Sequence, residues 1–336
     1  MKFFIEKLCN HEHLSHDEAQ DVMRNIMEGK ATNAQIASLL IALKFNGEIP
    51  EEIIGFVEVM LEKAVKIQID DPEAIDMCGT GGDGSGTFNI STAASFVVAG
   101  AGITVAKHGN RSISSSCGSA DVLKALGVNI ELPPERVADC INKIGIGFLF
   151  APMFHPAMKY AAQTRADLGV KTCFNILGPM TNPARVKRQL VGAFSDEAAA
   201  TLAAGFSNLG SKKVCIVHSS DGLDEVSLGA QTRVYEITGG SSMETYTIQP
   251  DALQLPIVKP SEIIGGSSDV NAKILSNILK GERGPHRDVV LANAAFGLYV
   301  AGKAQNPREG VSLAVESIDS GSAQHKLHQL IMESNR

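Results

Sequence analysis

Three stretches of this chain bring together residue types suited to holding a charged ligand. The first, Asp76 to Thr92, places five glycines (Gly79, Gly81, Gly82, Gly84, Gly86) within eight residues, between a short apolar run and a helical pattern from Ala93 to Ala101. Glycine lets backbone amides turn toward a ligand unobstructed, and a helix N-terminus adds unpaired N–H groups with partial positive charge. A phosphate belongs in such a loop. Gly79, Gly81 and Gly84 spell a dinucleotide fingerprint, but that pattern also needs an acid about 20 residues on to hold a ribose hydroxyl. Here the next apolar run ends in Lys107-His108, which suits more phosphate. No P-loop lysine motif is present.

The second stretch, Lys107 to Asp121, packs two permanent cations, His108, Asn110 and five serines into a loop before a helix that opens near Ser119. Lysine and arginine neutralise phosphate charge, and hydroxyls orient its oxygens. The third is Asp221-Gly222-Leu223-Asp224-Glu225. Adjacent acids on a loop can hold Mg2+, whose oxygen shell typically combines one or two carboxylates with substrate phosphates.

These stretches need a scaffold that gathers loops on one edge. From Ile75 onward, strands are expected at Ile75–Cys78, Ile103–Ala106, Gly147–Ala151, Gln189–Phe194, Lys213–His218 and Arg233–Ile237. Helices are expected at Thr92–Ala101, Ser119–Leu126, Pro134–Ile144 and Ala198–Leu209, then at Asp269–Leu279, Pro285–Ala301 and Gly310–Ile331. Leu291, Ala294, Ala295, Leu298 and Tyr299 supply the buried face of the Pro285 helix. Such alternation predicts an α/β fold with a mainly parallel central sheet flanked by helices, its ligands beyond the strand C-termini. The first 65 or so residues read instead as about four short helices. Ser15-x-x-Glu18 and Thr32-x-x-Gln35 are capping boxes, and Pro50-Glu51-Glu52 is a helix start. His11, His13 and His16 sit at a helix entry without carboxylate spacing that would support a metal site.

Composition sets limits. A length of 336 residues, 44% of them hydrophobic and 20% charged, accommodates one large or two domains. A net charge of −7 argues against nucleic-acid binding by bulk charge. The six cysteines lack C-x-x-C pairs and fit reduced thiols, so a cytoplasmic protein is expected. The opening Met1-Lys2-Phe3-Phe4-Ile5-Glu6-Lys7 reads as neither signal peptide nor anchor, and no apolar run reaches membrane-spanning length.

Assembled, the motifs resemble the anthranilate phosphoribosyltransferase family, glycosyltransferases of tryptophan biosynthesis related in fold to class II pyrimidine nucleoside phosphorylases. The resemblance rests on Cys78-Gly79-Thr80-Gly81-Gly82-Asp83, Asn89-Ile90-Ser91-Thr92, Lys107-His108-Gly109-Asn110-Arg111, Gly118-Ser119-Ala120-Asp121 and Gly222-Leu223-Asp224-Glu225. It extends to the helical opening and to Arg165 through Asn175-Ile176-Leu177-Gly178-Pro179. The phosphorylases continue after Lys-His with a Ser-Thr-Gly-Gly type sequence, where this chain has Gly109-Asn110-Arg111. Ser116-Cys117 falls where family members vary.

The resemblance implies transfer of a 5-phosphoribosyl group from phosphoribosyl diphosphate (PRPP) to the amine of anthranilate, with two Mg2+ ions. Carried over by position, Gly79, Gly82, Asp83, Thr87, Asn89, Ile90, Ser91, Thr92, Lys107, His108, Gly109, Asn110, Arg111, Ser112, Ile113, Ser114, Ser115 and Ser119 contact PRPP. Ser91 ligates one Mg2+, and Asp224 with Glu225 the other. Gly79, Asn110 and Arg165 receive anthranilate. A helical domain (1–70, joined in space by a segment at about 160–185) accompanies an α/β PRPP-binding domain (71–336), and homodimers form through the helical domain. Residue chemistry agrees: Lys107 suits stabilisation of a departing diphosphate, and a guanidinium at Arg165 suits a carboxylate. An arylamine is neutral at pH 7, which leaves His108 an orienting role. The rivals are a nucleoside phosphorylase of the same fold and a non-catalytic nucleic-acid-binding relative. Asn110, Arg165 and the acidic balance speak against the latter.

Overall fold

The computed structural model describes residues 1–111 and 117–336. Four helices open the chain: α1 (Lys2–Cys9), α2 (His16–Met27), α3 (Asn33–Asn46) and α4 (Pro50–Lys63). Both expected capping boxes form: Ser15 Oγ accepts from Glu18 N and Thr32 Oγ1 from Gln35 N, with Glu18 and Gln35 reaching back. Such caps contribute about 1 kcal/mol each. His11, His13 and His16 face Asn46, Glu52 and Glu58 respectively.

After the connector the chain alternates: β1 (Ile75–Gly79), α5 (Ile90–Gly100), β2 (Val105–Gly109), α6 (Ser119–Ala125), α7 (Pro134–Ile144) and β3 (Ile146–Phe150). It then leaves the sheet through α8 (Ala151–Phe154), α9 (Lys159–Leu168) and α10 (Phe174–Met180). It returns as β4 (Arg188–Gly192), α11 (Asp196–Asn208), β5 (Lys213–Ser219), β6 (Thr232–Thr238) and β7 (Ser242–Ile248). Four helices close it: α12 (Ser268–Leu279), α13 (Pro285–Val300), α14 (Pro307–Asp319) and α15 (Ser322–Ser334).

Among the described residues the sheet runs β3-β2-β1-β4-β5-β6-β7. The first five strands are parallel, and β6 and β7 are antiparallel. Strand order reverses between β1 and β4, and loops beyond the carboxyl ends of strands at such a point enclose a crevice. One face of the sheet packs on α5, α12, α13, α14 and α15. On the other, α11 joins the sheet to the N-terminal helices, and Phe174, Ile176, Leu177 and Met180 of α10 complete that second core. No helix among the described residues is long and apolar enough to cross a membrane.

The observed elements depart from expectation in four places. Strand β7 is an exposed edge without a clear apolar alternation, so its pattern gave no strand. The Gly310–Ile331 stretch is two helices, broken at Gly321 with φ +79°. Helix α13 is buried around nearly its whole circumference, while Tyr299 is only partly buried. The strand expected at Ile103–Ala106 runs instead from Val105 to Gly109, which puts Lys107 and His108 inside β2.

Candidate active site

The glycine loop follows β1, and Gly81, Gly82, Gly84 and Gly86 all take positive φ, between 64° and 77°. A side chain is strained in that conformation, which explains the glycines. The loop is fastened at both ends. Thr80 N donates to Gly192 O (2.9 Å) and Phe194 N to Thr80 Oγ1 (3.0 Å); at the far end Gly265 N donates to Gly86 O (2.8 Å).

Gly79 and Gly192 lie side by side at the ends of β1 and β4. Asp224 sits against both: a Cβ on Gly192 would lie 1.6 Å from Asp224 O, and one on Gly79 would lie 2.8 Å from Asp224 Oδ2. The acidic loop therefore closes over a gap that two glycines leave open. Asp224 Oδ2 accepts from Gly81 N (3.1 Å), and Glu225 Oε1 accepts from Ser91 N in the first turn of α5 (3.1 Å). Both acids thus reach the glycine loop and the helix that follows it, as the sequence motifs suggested.

The electrostatics of this floor are unbalanced toward negative charge. Burial, reinforced by Asp83, pushes Asp224 up to about 7. Burial and the adjacent Asp224 raise Glu225 well above the carboxylate range. Among the described residues, Asp83 Oδ2 is buried without a hydrogen-bond partner within bonding geometry. Lys107 is the ammonium that opposes them, and burial lowers its own pKa. A divalent cation fits this excess. Among the described residues no group of three or more His, Cys, Asp or Glu side chains is arranged to hold a metal alone. That suits Mg2+, which takes one or two carboxylates and completes its shell with substrate phosphates and water.

Lys107 and His108 are buried at 4% and 7% exposure, set by a network beneath them that the sequence did not reveal. Lys107 Nζ donates to Met77 O and to Ser91 Oγ. Asp76, fully buried, accepts from His108 N (3.1 Å) and from Asn182 Nδ2 (2.8 Å); Asn182 Nδ2 also donates to Ala106 O (2.9 Å). An aspartate within a buried strand was the one available signal. Burial, with help from His155 and Lys107, lowers His108 to about 3. Its ring centroid lies 5.3 Å from that of His155, which burial lowers to about 4. Both imidazoles are neutral at pH 7, and among the described residues His108 Nε2 has no hydrogen-bond partner within bonding geometry. His155, in the chain just before α9, was not singled out from sequence.

Arg165 projects from α9 into the same cavity of about 670 Å³. Its guanidinium lies 5.1 Å from the Phe174 ring centroid, and among the described residues no carboxylate pairs with it. Partial burial lowers its pKa, but a guanidinium keeps its charge. Such a group beside an aromatic face can receive a carboxylate. Asn110, Gly109 and Ser119 line the same cavity, and Ser119 Oγ donates to Asn110 O (3.2 Å).

Other expected contacts are arranged differently. Arg111 pairs with Glu131 (3.1 Å) and lies over Phe150. Asn89 Nδ2 donates to Cys117 O (3.1 Å), and its Oδ1 accepts from Asn271 Nδ2 (3.1 Å), so its side chain braces three segments. Thr87 pairs in a short bridge with Ile264 and bonds Ser85 Oγ (3.2 Å). Gly82, Asp83, Ile90, Ser91 and Thr92 line the cavity. Ser112, Ile113, Ser114 and Ser115 lie outside the described residues.

Comparison with known proteins agrees with this geometry. Residues 2–64 match the helical bundle domain of a glycosyl transferase family, and residues 71–324 match its a/b domain. Anthranilate phosphoribosyltransferase of Moorella thermoacetica is 49% identical over 98% of this chain and 97% of its own. The crystal structure of anthranilate phosphoribosyltransferase from Thermus thermophilus superposes with a TM-score of 0.93 at 42% identity, covering 99% of both chains. The Saccharomyces cerevisiae enzyme in complex with PRPP and Mg gives 0.91 at 29% identity, over 99% of this chain and 97% of that one. On this likeness, over nearly the full length of both chains, the protein belongs to the anthranilate phosphoribosyltransferase family.

Proposed function

We infer that this chain transfers the 5-phosphoribosyl group of PRPP to the amine of anthranilate, giving N-(5-phosphoribosyl)anthranilate and diphosphate, in tryptophan biosynthesis. The observation that carries this reading is one cavity holding both a glycine loop faced by two acids and an arginine with no carboxylate of its own among the described residues. The first suits a diphosphate with its cation, the second an aromatic carboxylate.

The amides of Gly79 and Gly82, the side chains of Asp83 and Thr87, and the α5 entrance from Asn89 to Thr92 take the phosphates. The strand end from Lys107 to Arg111, with Ser119, takes the ribose and its 5-phosphate. Ser91 holds one Mg2+, and Asp224 with Glu225 the second. Bound there, Mg2+ offsets the negative charge of diphosphate as it departs. Lys107 places a fixed positive charge beneath Ser91 that acts in the same sense. Arg165 takes the acceptor carboxylate in paired hydrogen bonds, and Asn110 and Gly79 orient the ring. His108, neutral and with Nε2 unpaired among the described residues, shapes the acceptor wall; the amine carries no charge to remove before attack. Holding two reactants in one geometry then supplies much of the acceleration.

The same reading makes the protein a cytoplasmic homodimer. Phe3 (62% exposed) on α1 and Ile41 and Phe45 (84% exposed) on α3 leave apolar surface on the helical domain, which supports pairing with a second copy.

The reaction is tested by following anthranilate fluorescence with PRPP and Mg2+, omitting each in turn. Loss of signal only with all components present, matched by equimolar diphosphate, is the expected result. No consumption by protein that binds PRPP would make the acceptor wrong, and phosphorolysis of a nucleoside without PRPP would move the chain to the rival activity.

A further inference from the structure

The two acids of the 221–225 loop are held from behind by residues that no motif marks. Ser219, fully buried at the end of β5, donates from Oγ to Glu225 O (2.8 Å). Its hydroxyl also lies 2.6 Å from Thr232 Oγ1, and Ser227 N donates to both oxygens (3.2 and 3.1 Å). Between these points Asn293, 1% exposed on α13, grips a single residue's backbone from both sides. Its Oδ1 accepts from Val226 N (2.9 Å), and its Nδ2 donates to Val226 O (3.1 Å) and to Val289 O (2.9 Å).

Consequently the carbonyl of Glu225, both backbone polar groups of Val226 and the amide of Ser227 are all bonded by side chains. On the other flank the Asp224 backbone rests on Gly192, where no Cβ could fit. The loop's main chain is thus fixed on both sides of the acidic pair before any ligand arrives. From Val289 to Leu298 every residue of α13 apart from Asn293 is apolar or glycine, and a buried asparagine there is costly unless its amide is fully bonded. Two of its three bonds go to the residue immediately after Glu225.

We propose that Asn293 is a positioning residue for the reaction, and that its grip on the Val226 backbone, aided by Ser219, sets the cation affinity of Asp224 and Glu225. The inference rests on the assignment of those two acids as metal ligands under the proposed function. Outer partners that orient metal ligands typically change metal affinity about 10- to 100-fold when removed.

Asn293→Asp keeps the shape but puts an oxygen against the Val226 and Val289 carbonyls. Ser219→Ala removes one bond to the Glu225 carbonyl and serves where Asn293→Asp does not fold. Binding of Mn2+ to the protein with PRPP and no acceptor, read from the free-ion signal in electron paramagnetic resonance, reports the cation site without turnover. Asp224→Asn with Glu225→Gln is measured beside them. The expected result is Mn2+ affinity weakened about 10-fold or more in Asn293→Asp, and in the same direction in Ser219→Ala, with an unchanged KM for anthranilate. Folded variants with wild-type Mn2+ affinity, while the double acid variant loses it, overturn the positioning role alone. Wild-type affinity in the double acid variant removes the acids as ligands and the inference with them. An equal rise in KM for both substrates marks general loosening and also overturns it.

Discussion

Under the proposed function Arg165 takes the acceptor carboxylate, because it brings positive charge into the cavity without a carboxylate partner among the described residues. A charged hydrogen bond contributes about 1.5–3 kcal/mol, or roughly 10- to 100-fold in binding. Arg165→Ala is therefore expected to raise the KM for anthranilate by that order and that for PRPP far less, in steady-state assays varying each substrate. Equal effects would move the carboxylate elsewhere. His108 makes the opposite kind of prediction. With its pKa lowered to about 3, it stays neutral from about pH 8 down to about pH 5. His108→Asn should retain substantial activity with the same pH profile across that range, and a lost ionisation would restore a proton-accepting role. The buried pair also affects stability. His155 in the folded chain titrates near 4 and in the unfolded chain near 6.5. As pH falls from about 6.5 toward 4, the unfolded state takes up protons that the fold excludes, and stability is lost. Thermal melts of His155→Asn should show a shallower fall over that window than wild type. At this scale Lys107, His108 and the acids stood out from sequence by charge and spacing, and Arg165 only through the family resemblance. Asp76 offered one signal, an acid within a buried strand; His155, Asn182 and Asn293 offered none, because nothing local distinguishes a polar side chain that completes a distant network.

Among elements, the adjacent ends of β1 and β4 do the assembling. The glycine loop after β1 was legible because five glycines fall together, but its counterpart Gly192 is isolated in sequence and gains its meaning only from pairing with Gly79. Gly192→Ala drives a methyl group into the Asp224 main chain. Overpacking of this kind costs about 1–3 kcal/mol. A lower melting temperature and a higher Mg2+ requirement for turnover are expected together; an unaltered Mg2+ titration would detach the acidic loop from this strand end. Element boundaries were read best where a cap or a proline announces them, as at Ser15, Thr32, Pro50 and Pro134. They were missed where the signal was a single glycine, as at Gly321, or a glycine pair that opens a hairpin, as at Gly239-Gly240 before β7.

In the whole molecule, the two substrates are assigned to different layers. The glycine loop and acids belong to the sheet edge, while Arg165 comes on α9 from a layer built with the N-terminal helices. The apolar surface left on that helical layer makes the homodimer testable. Phe45→Glu, alone or with Phe3→Glu, should shift the protein to monomer in sedimentation velocity while the melting temperature changes little, since both side chains are exposed. A wild-type chain that sediments as a monomer would remove the dimer.

The sequence by itself determined the chemistry on offer: a phosphate loop, a cationic strand end, an acid pair, and an alternation that requires a mainly parallel sheet. Those are local properties, set by residue type, spacing and periodicity within a few turns of chain. Tertiary structure decided what each residue could reach. It paired Gly79 with Gly192, set Asp76 under His108, turned Asn89 into a brace, and put Asn293 against Val226, 67 residues away in sequence. Such contacts depend on strand order and helix packing, which are set by burial of the whole apolar surface rather than by any one stretch.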